Sequence, residues 1–112
     1  MSAGKHNIII DQGADFSEQF TLSEDGTPTD LTGYSARAQL RQKKSSTSVA
    51  ETFICVITDA AGGSLNMAMM NSSTKNLTAG RYYYDLELYS ASDVSVIRLL
   101  EGAATITAEV TR

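Results

Sequence analysis

The chain has 112 residues, nine basic and thirteen acidic, for a net charge of −4. That length holds one domain with one core, and the acidic balance argues against nucleic acid as the main partner. No apolar run approaches the roughly 20 residues of a membrane span, and Met1 to Asn7 is polar, without the apolar centre of a signal peptide. Nothing therefore points to a membrane or to secretion, and Asn71-Ser72-Ser73 and Asn76-Leu77-Thr78 are chance matches to the glycosylation pattern.

In chain order, residues 1–7 are read as a polar N-terminal arm and 8–112 as a single domain. Asn7 to Gln12 carries three β-branched isoleucines, Ile8, Ile9 and Ile10, and is strand-prone. Gly13-Ala14-Asp15 interrupts it, and Phe16 to Leu22 follows with Phe16, Phe20 and Leu22 on one face. Glu18 shares that apolar face, which requires an edge position or a bulge. Glu24-Asp25-Gly26 is a turn signal, and Pro28 excludes a central strand nearby. Tyr34 to Arg41 alternates: Tyr34, Ala36, Ala38 and Leu40 face the core, while Ser35, Arg37, Gln39 and Arg41 face solvent or a partner.

Gln42 to Ala50 is polar and serine-rich, a mobile loop. Glu51 to Thr58 is apolar on both faces, the pattern of a central strand or of one covered by a partner. Asp59 to Gly63 turns the chain, and Ser64 to Met70 points Leu65, Met67 and Met69 inward. Ser72 or Ser73 is placed to cap one short helical turn ending near Leu77. After the turn at Ala91-Ser92-Asp93, Val94 to Leu100 and Ala103 to Val110 form one long strand or two, with a bulge expected at Gly102.

Gly80 to Tyr89 carries the strongest pattern. Tyr82, Tyr84, Leu86 and Leu88 share one face of an extended chain; Tyr83, Asp85, Glu87 and Tyr89 share the other. A glycine just before an aromatic strand resembles the sixth strand of immunoglobulin-like sandwiches, where a tyrosine pins a corner. No segment sustains a 3.6-residue period. The fold class is all-β, an immunoglobulin-like or jelly-roll antiparallel sandwich of seven to nine strands.

Chemistry has little to work with. Cys55 sits among Phe53, Ile54, Val56 and Ile57 and is read as a small buried hydrophobe, with no cysteine to pair with. A nucleophile needs a base, and His6, the one histidine, lies in the arm without an evident orienting partner. Asp11, Asp15 and Asp25 lack the spacing of a helix-loop-helix calcium site, zinc would need more Cys and His, and Gly62-Gly63 is a turn rather than a phosphate cradle. No catalytic residue, metal or cofactor is expected. Arg37, Arg41, Lys43 and Lys44 form a local basic excess, read as a strand end and a solvated loop. Tyr83 and Tyr89 form a candidate contact surface beside Asp85 and Glu87, for protein or for sugar, unless they pack against the second sheet or flank an edge.

Three pieces, Asp11-Gln12-Gly13-Ala14-Asp15-Phe16, then Thr29-Asp30-Leu31-Thr32-Gly33-Tyr34 running on to Arg41, then Leu77-Thr78-Ala79-Gly80-Arg81-Tyr82-Tyr83-Tyr84-Asp85-Leu86, together resemble small β-sandwich virion proteins of tailed bacteriophages. These include modules near the start of baseplate and tail-fibre proteins. The resemblance implies a non-enzymatic structural role in the virion, assembled in the host cytoplasm. Because the sequence stops at Arg112, without the long extension of the tail-fibre and baseplate relatives, the expectation it favours is a capsid decoration or stapling protein bracing major capsid subunits. A tail, neck or baseplate adaptor is the alternative, and a carbohydrate-binding sandwich the third. Candidate contacts with the major capsid protein, other virion proteins or a second copy of the chain are Lys5, His6 and Asn7 in the arm, Lys43 and Lys44 in the loop to Ala50, and Tyr83 and Tyr89.

Overall fold

The computed structural model describes residues 4–111. Its elements are β1 (Gly4–Lys5), β2 (Ile8–Asp11), β3 (Phe16–Thr21), β4 (Ser23–Glu24), β5 (Thr27–Pro28), β6 (Ser35–Arg41), β7 (Glu51–Thr52), β8 (Ile54–Asp59), β9 (Ser64–Met69), α1 (Asn71–Thr74), β10 (Gly80–Tyr89), a 3₁₀ turn (Ala91–Asp93) and β11 (Val96–Thr107). The period-two pattern sorts them into two layers. Tyr82, Tyr84, Leu86 and Leu88 of β10 are buried, as are Ala38 and Leu40 of β6 and Leu65, Met67 and Met69 of β9. These side chains form one core between a larger sheet, β1/β2-β11-β10-β6-β7, and a smaller one, β3-β9-β8.

Among the described residues, seven strands are longer than two residues. Numbered by position, the first, seventh, sixth and third lie in the larger sheet; the second, fifth and fourth make the smaller one. That is an immunoglobulin-like order, and β10 is its sixth strand. The tyrosine corner is present: the Tyr82 hydroxyl donates to the Thr78 carbonyl at 2.9 Å. Gly80 opens the strand at φ 145°, a conformation side chains rarely adopt.

Several elements differ from the sequence reading. Of the expected arm, Met1 to Ala3 lie outside the described residues, as does Arg112 at the other end. Gly4 and Lys5 pair in parallel with Leu100 and Glu101, and Ile8 to Asp11 continue in the same register along Ala104 to Thr107. The sandwich is therefore antiparallel except along this seam. The His6 amide donates to the Glu101 carbonyl at 3.0 Å, and the Asn7 side chain accepts the Ala103 amide at 3.0 Å. Paired backbone, not a polar tail, defines the segment.

Gly102 is not the bulge. The register of β10 against β11 shifts where Leu86 and Glu87 face Leu100 and Arg98, leaving Leu99 as the extra residue. The shift lets the neighbouring leucines Leu99 and Leu100 both pack toward the core. Gly102 serves close approach instead, since a Cβ there would sit 2.1 Å from the His6 carbonyl oxygen.

The apolar stretch 51–58 is not a central strand. β7 pairs with β6 in the larger sheet and β8 with β9 in the smaller. Between them Phe53 is buried, its amide donating to the Ala38 carbonyl at 3.0 Å. Its ring meets Phe16 and Tyr84 edge-on, at 5.9 and 6.2 Å. The chain thus changes sheets at Phe53, and β8 ends up at an edge.

The helical turn spans Asn71–Thr74 without a serine cap. Asp15 Oδ1 accepts its first amide instead, from Asn71 at 2.8 Å. The fully buried Thr74 hydroxyl donates to the Ala14 carbonyl at 2.8 Å, tying the turn to the β2–β3 loop.

Tyr82→Ala is expected to cost about 3–5 kcal/mol, the range of large aromatic truncations in cores, and Tyr82→Phe about 0.5–1.5 kcal/mol, one hydrogen bond. Urea unfolding of both checks this; a wild-type midpoint for Tyr82→Ala would mean that β10 has the opposite phase. Gly102→Ala is expected to displace the N-terminal strand. Its His6 amide should exchange with deuterium faster than in the parent, while the amides of β10 keep their protection.

Candidate functional site

The outer face of the larger sheet is built by register. Cross-strand neighbours there are Arg37, Glu87 and Arg98 in one row and Gln39, Asp85 and Glu101 in the next. A positive-negative-positive row therefore lies beside an acidic one, and the charges pair along and between the rows. Arg37 Nε donates to Glu87 Oε1 at 3.0 Å, and Arg37 Nη1 reaches Asp93 at 3.6 Å. Arg98 lies between the rows, 3.5 Å from Asp85 and 3.6 Å from Glu101. Lys5 completes the acidic row from β1 by pairing with Glu101.

The tyrosines stand at either end. Tyr89 lies under the Arg37 guanidinium, 4.5 Å from its ring centre. Tyr83 has Arg81 at 5.6 Å and Lys44 at 5.9 Å. Both are half-buried on the outer face rather than packed against the second sheet. The serine-rich loop folds back here, with Arg41 Nη1 donating to the Ser46 carbonyl at 2.7 Å. Between loop and strands lies an open depression of about 500 Å³, with Arg41, Lys44, Tyr83, Asp85 and Arg98 in its lining.

Electrostatics separates the two acids of the second row. Burial, followed by repulsion from Glu87, pushes the Asp85 carboxyl above its ordinary value against the pull of Arg98. Glu101 lies below its ordinary range, first because Lys5 bonds to it. The two neighbouring acids are thus shifted in opposite directions.

The residues singled out in the sequence divide. Lys5, Lys44, Tyr83 and Tyr89 meet on this face. Lys43 is exposed in the loop, its carbonyl accepting the Ser46 amide. Asn7 serves the β11 seam. His6 lies elsewhere and does have an orienting partner: its Nε2 is 2.5 Å from Glu18 Oε2, and its ring meets Phe20 edge-on at 5.4 Å. Glu18 sits on β3, an edge strand of the smaller sheet, which resolves its place among apolar neighbours. Arg98 and Glu101 were not legible as site residues, because only the β10–β11 register places them beside Asp85.

Within the lattice the charged groups pair with one another, Arg37 with Glu87 and Asp93, and Arg98 with Asp85 and Glu101. Burial pushes the Cys55 thiol up to about 11, the reverse of an activated nucleophile. Burial and Glu18 hold the Tyr84 hydroxyl at about 12. Among the described residues no three His, Cys, Asp or Glu side chains gather to hold a metal. Stacking on a sugar needs a bare ring face, and the cations over Tyr83 and Tyr89 weigh against that use.

No family model matches the chain, and no curated protein sequence is similar to it. Among solved structures, the chain is similar to the N-terminal domain of phage TP901-1 ORF48, with a TM-score of 0.51 and 14% identity over 95% of this chain and 98% of that one. A family 123 glycoside hydrolase from Clostridium perfringens also aligns, at a TM-score of 0.46 and 12% identity, over 100% of this chain and 24% of the enzyme. The second likeness is too weak to argue from; the first bears on the fold.

The two acids predict opposite responses. A raised carboxyl makes the folded state take up its proton first, so the Asp85 contribution weakens as pH rises through its folded value. A lowered carboxyl contributes stability above its unfolded value, so the Glu101 contribution is lost as pH falls through its folded value. Asp85→Asn is therefore expected to leave Tm at pH 7 unchanged or higher, and Glu101→Gln to lower it. Thermal melts of the two variants check the signs.

Proposed function

We propose that the chain is a non-enzymatic structural module of a tailed-phage virion, an adaptor that docks onto another virion protein through the outer face of its larger sheet. The observation that carries this reading is the end-to-end likeness to a phage protein's N-terminal domain, which spans nearly all of both chains. An N-terminal domain heads a longer protein, the position of a module that attaches that protein to something else; this favours a tail, neck or baseplate adaptor over capsid decoration.

The physics of the face agrees. Ion pairs among half-exposed side chains contribute little to stability. A regular array of them instead gives a partner a pattern of charge to match, which sets orientation and excludes wrong partners. The aromatic rings at both ends supply contact area of the kind enriched at interfaces. Docking to a symmetric assembly multiplies modest single contacts.

Quantitative mass spectrometry of purified particles tests the reading. The expected ratio of this chain to the major capsid protein is a few per cent, as for a symmetry-matched tail component. A ratio near one, one half or one third would replace the adaptor with capsid decoration, and absence from the particle would overturn the virion role altogether.

A further inference from the structure

The paired lattice ends before the larger sheet does. Beyond the row of Gln39, Asp85 and Glu101, the register sets Arg41, Tyr83 and Ala103 in one outward row and Arg81, Thr105 and Ile9 in the next. Neither row holds an acid. The serine-rich loop adds Lys44 over the Tyr83 ring, and Arg81 approaches the same ring at 5.6 Å. Arg41 and Lys44, from the basic excess of the sequence, thus gather with Arg81 around one tyrosine. Lys44 and Arg81 are exposed.

These cations have neutral partners. Arg41 Nη1 donates to the Ser46 carbonyl, and its Nη2 donates to Gln39 Oε1 at 2.9 Å. The ion pairs of this face, among the described residues, all lie in the lattice; none reaches Arg41, Lys44 or Arg81. Burial governs the Asp85 carboxyl and the bond from Lys5 governs Glu101, while Arg41 and Lys44 add only smaller pulls from further off. Arg41, Lys44 and Tyr83 also line the open depression of about 500 Å³. This end of the face therefore combines room, an aromatic floor and positive charge that the chain does not pair.

We propose that this cationic end grips an acidic segment of the partner, whose carboxylates enter the depression and pair with Arg41, Lys44 and Arg81 around Tyr83. The proposal rests on the docking reading of this face and adds the chemistry of what docks. Charge chooses the occupant. The chain carries −4 overall, so an acidic partner is repelled elsewhere and admitted here, which sets orientation as well as place. Arg41 gains by the exchange, because a bond from guanidinium to carboxylate is roughly twice as strong as one to a neutral oxygen. A nucleic-acid backbone fits less well. It repeats its phosphates along its whole length and needs a long track of cations, whereas Asp85, Glu87 and Glu101 stand across the face. A protein segment with a few carboxylates can end before those acids.

Fluorescence anisotropy of a labelled oligoglutamate peptide, titrated with the whole chain, tests the proposal. The expected result is saturable binding that weakens with added salt and is about two- to fivefold weaker in Lys44→Gln and in Arg81→Gln, the loss of one exposed charge pair each. Lys75→Gln removes an exposed lysine at the end of α1, outside these rows, and should bind like the parent. Melting curves confirm that the variants are folded. A measurement on the parent needs no variant: amide NMR signals of residues 41–46 and 80–83 should move on titration, while those of β8 stay in place. Absence of saturable binding, binding indifferent to salt or to both variants, or shifts confined to other strands would each overturn the proposal. So would tighter binding of oligothymidylate than of oligoglutamate, because the occupant would then be a nucleic acid. The particle measurement fails separately: a chain absent from particles that still binds oligoglutamate through Lys44 and Arg81 keeps this site and loses the virion role, whereas a particle component that ignores oligoglutamate keeps the role and loses this site.

Discussion

A strand with neighbours on both sides must satisfy two chemistries at once, and β10 carries that constraint for the whole sandwich. Its inner face supplies Tyr82, Tyr84, Leu86 and Leu88 to the core, and its outer face supplies Tyr83, Asp85, Glu87 and Tyr89 to the charged lattice. β6 and β11 flank it along most of its length. A slip of one residue against either neighbour would exchange the two faces, burying carboxylates and exposing leucines. Register here is consequently fixed far more firmly by burial than by any ion pair. The lattice inherits its geometry from the core.

Tyr84 extends that control to the start of the chain. Its hydroxyl donates to the His6 carbonyl at 2.6 Å, and its ring meets Phe53, where the chain changes sheets. Gly102 lies directly opposite it on β11 and leaves room for His6 to approach. One side chain thus joins the N-terminal strand, the sheet crossing and the centre of the larger sheet. Phe53 in turn decides that the residues after it enter the smaller sheet as its edge strand among the described residues.

What the sequence disclosed follows from this hierarchy. Strands with one wet and one dry face announce themselves by period two, so β10, β6 and β9 were legible in phase as well as in place. Glu18 among phenylalanines pointed to an edge, and β3 is one. β8 stayed ambiguous because an apolar strand looks the same whether a neighbouring strand or a partner covers it, and the structure excludes only the central position; composition records the desolvation a strand is suited to, not its neighbours. The parallel seam of β1 and β2 was hidden because its bonds come from backbone and from Asn7, which carry no periodic signature. Arg98 and Glu101 were hidden because a charge lattice is a property of register, and the bulge at Leu99 shifts that register by one.

The two outer faces divide the ways a small sandwich can meet other molecules. In the lattice of the larger sheet, charge is already paired within the chain, so a partner gains there only by exchanging ion pairs in a matching geometry. That arrangement favours specificity over strength. Asp85 is the acid of this lattice whose carboxyl is raised, by burial first and by Glu87 second, against the pull of Arg98. On the smaller sheet the outward residues are largely uncharged, with Ile54 and Val56 exposed on β8 and Asp59 at its end. The two faces cover opposite layers of the sandwich, so contact at one leaves the other open.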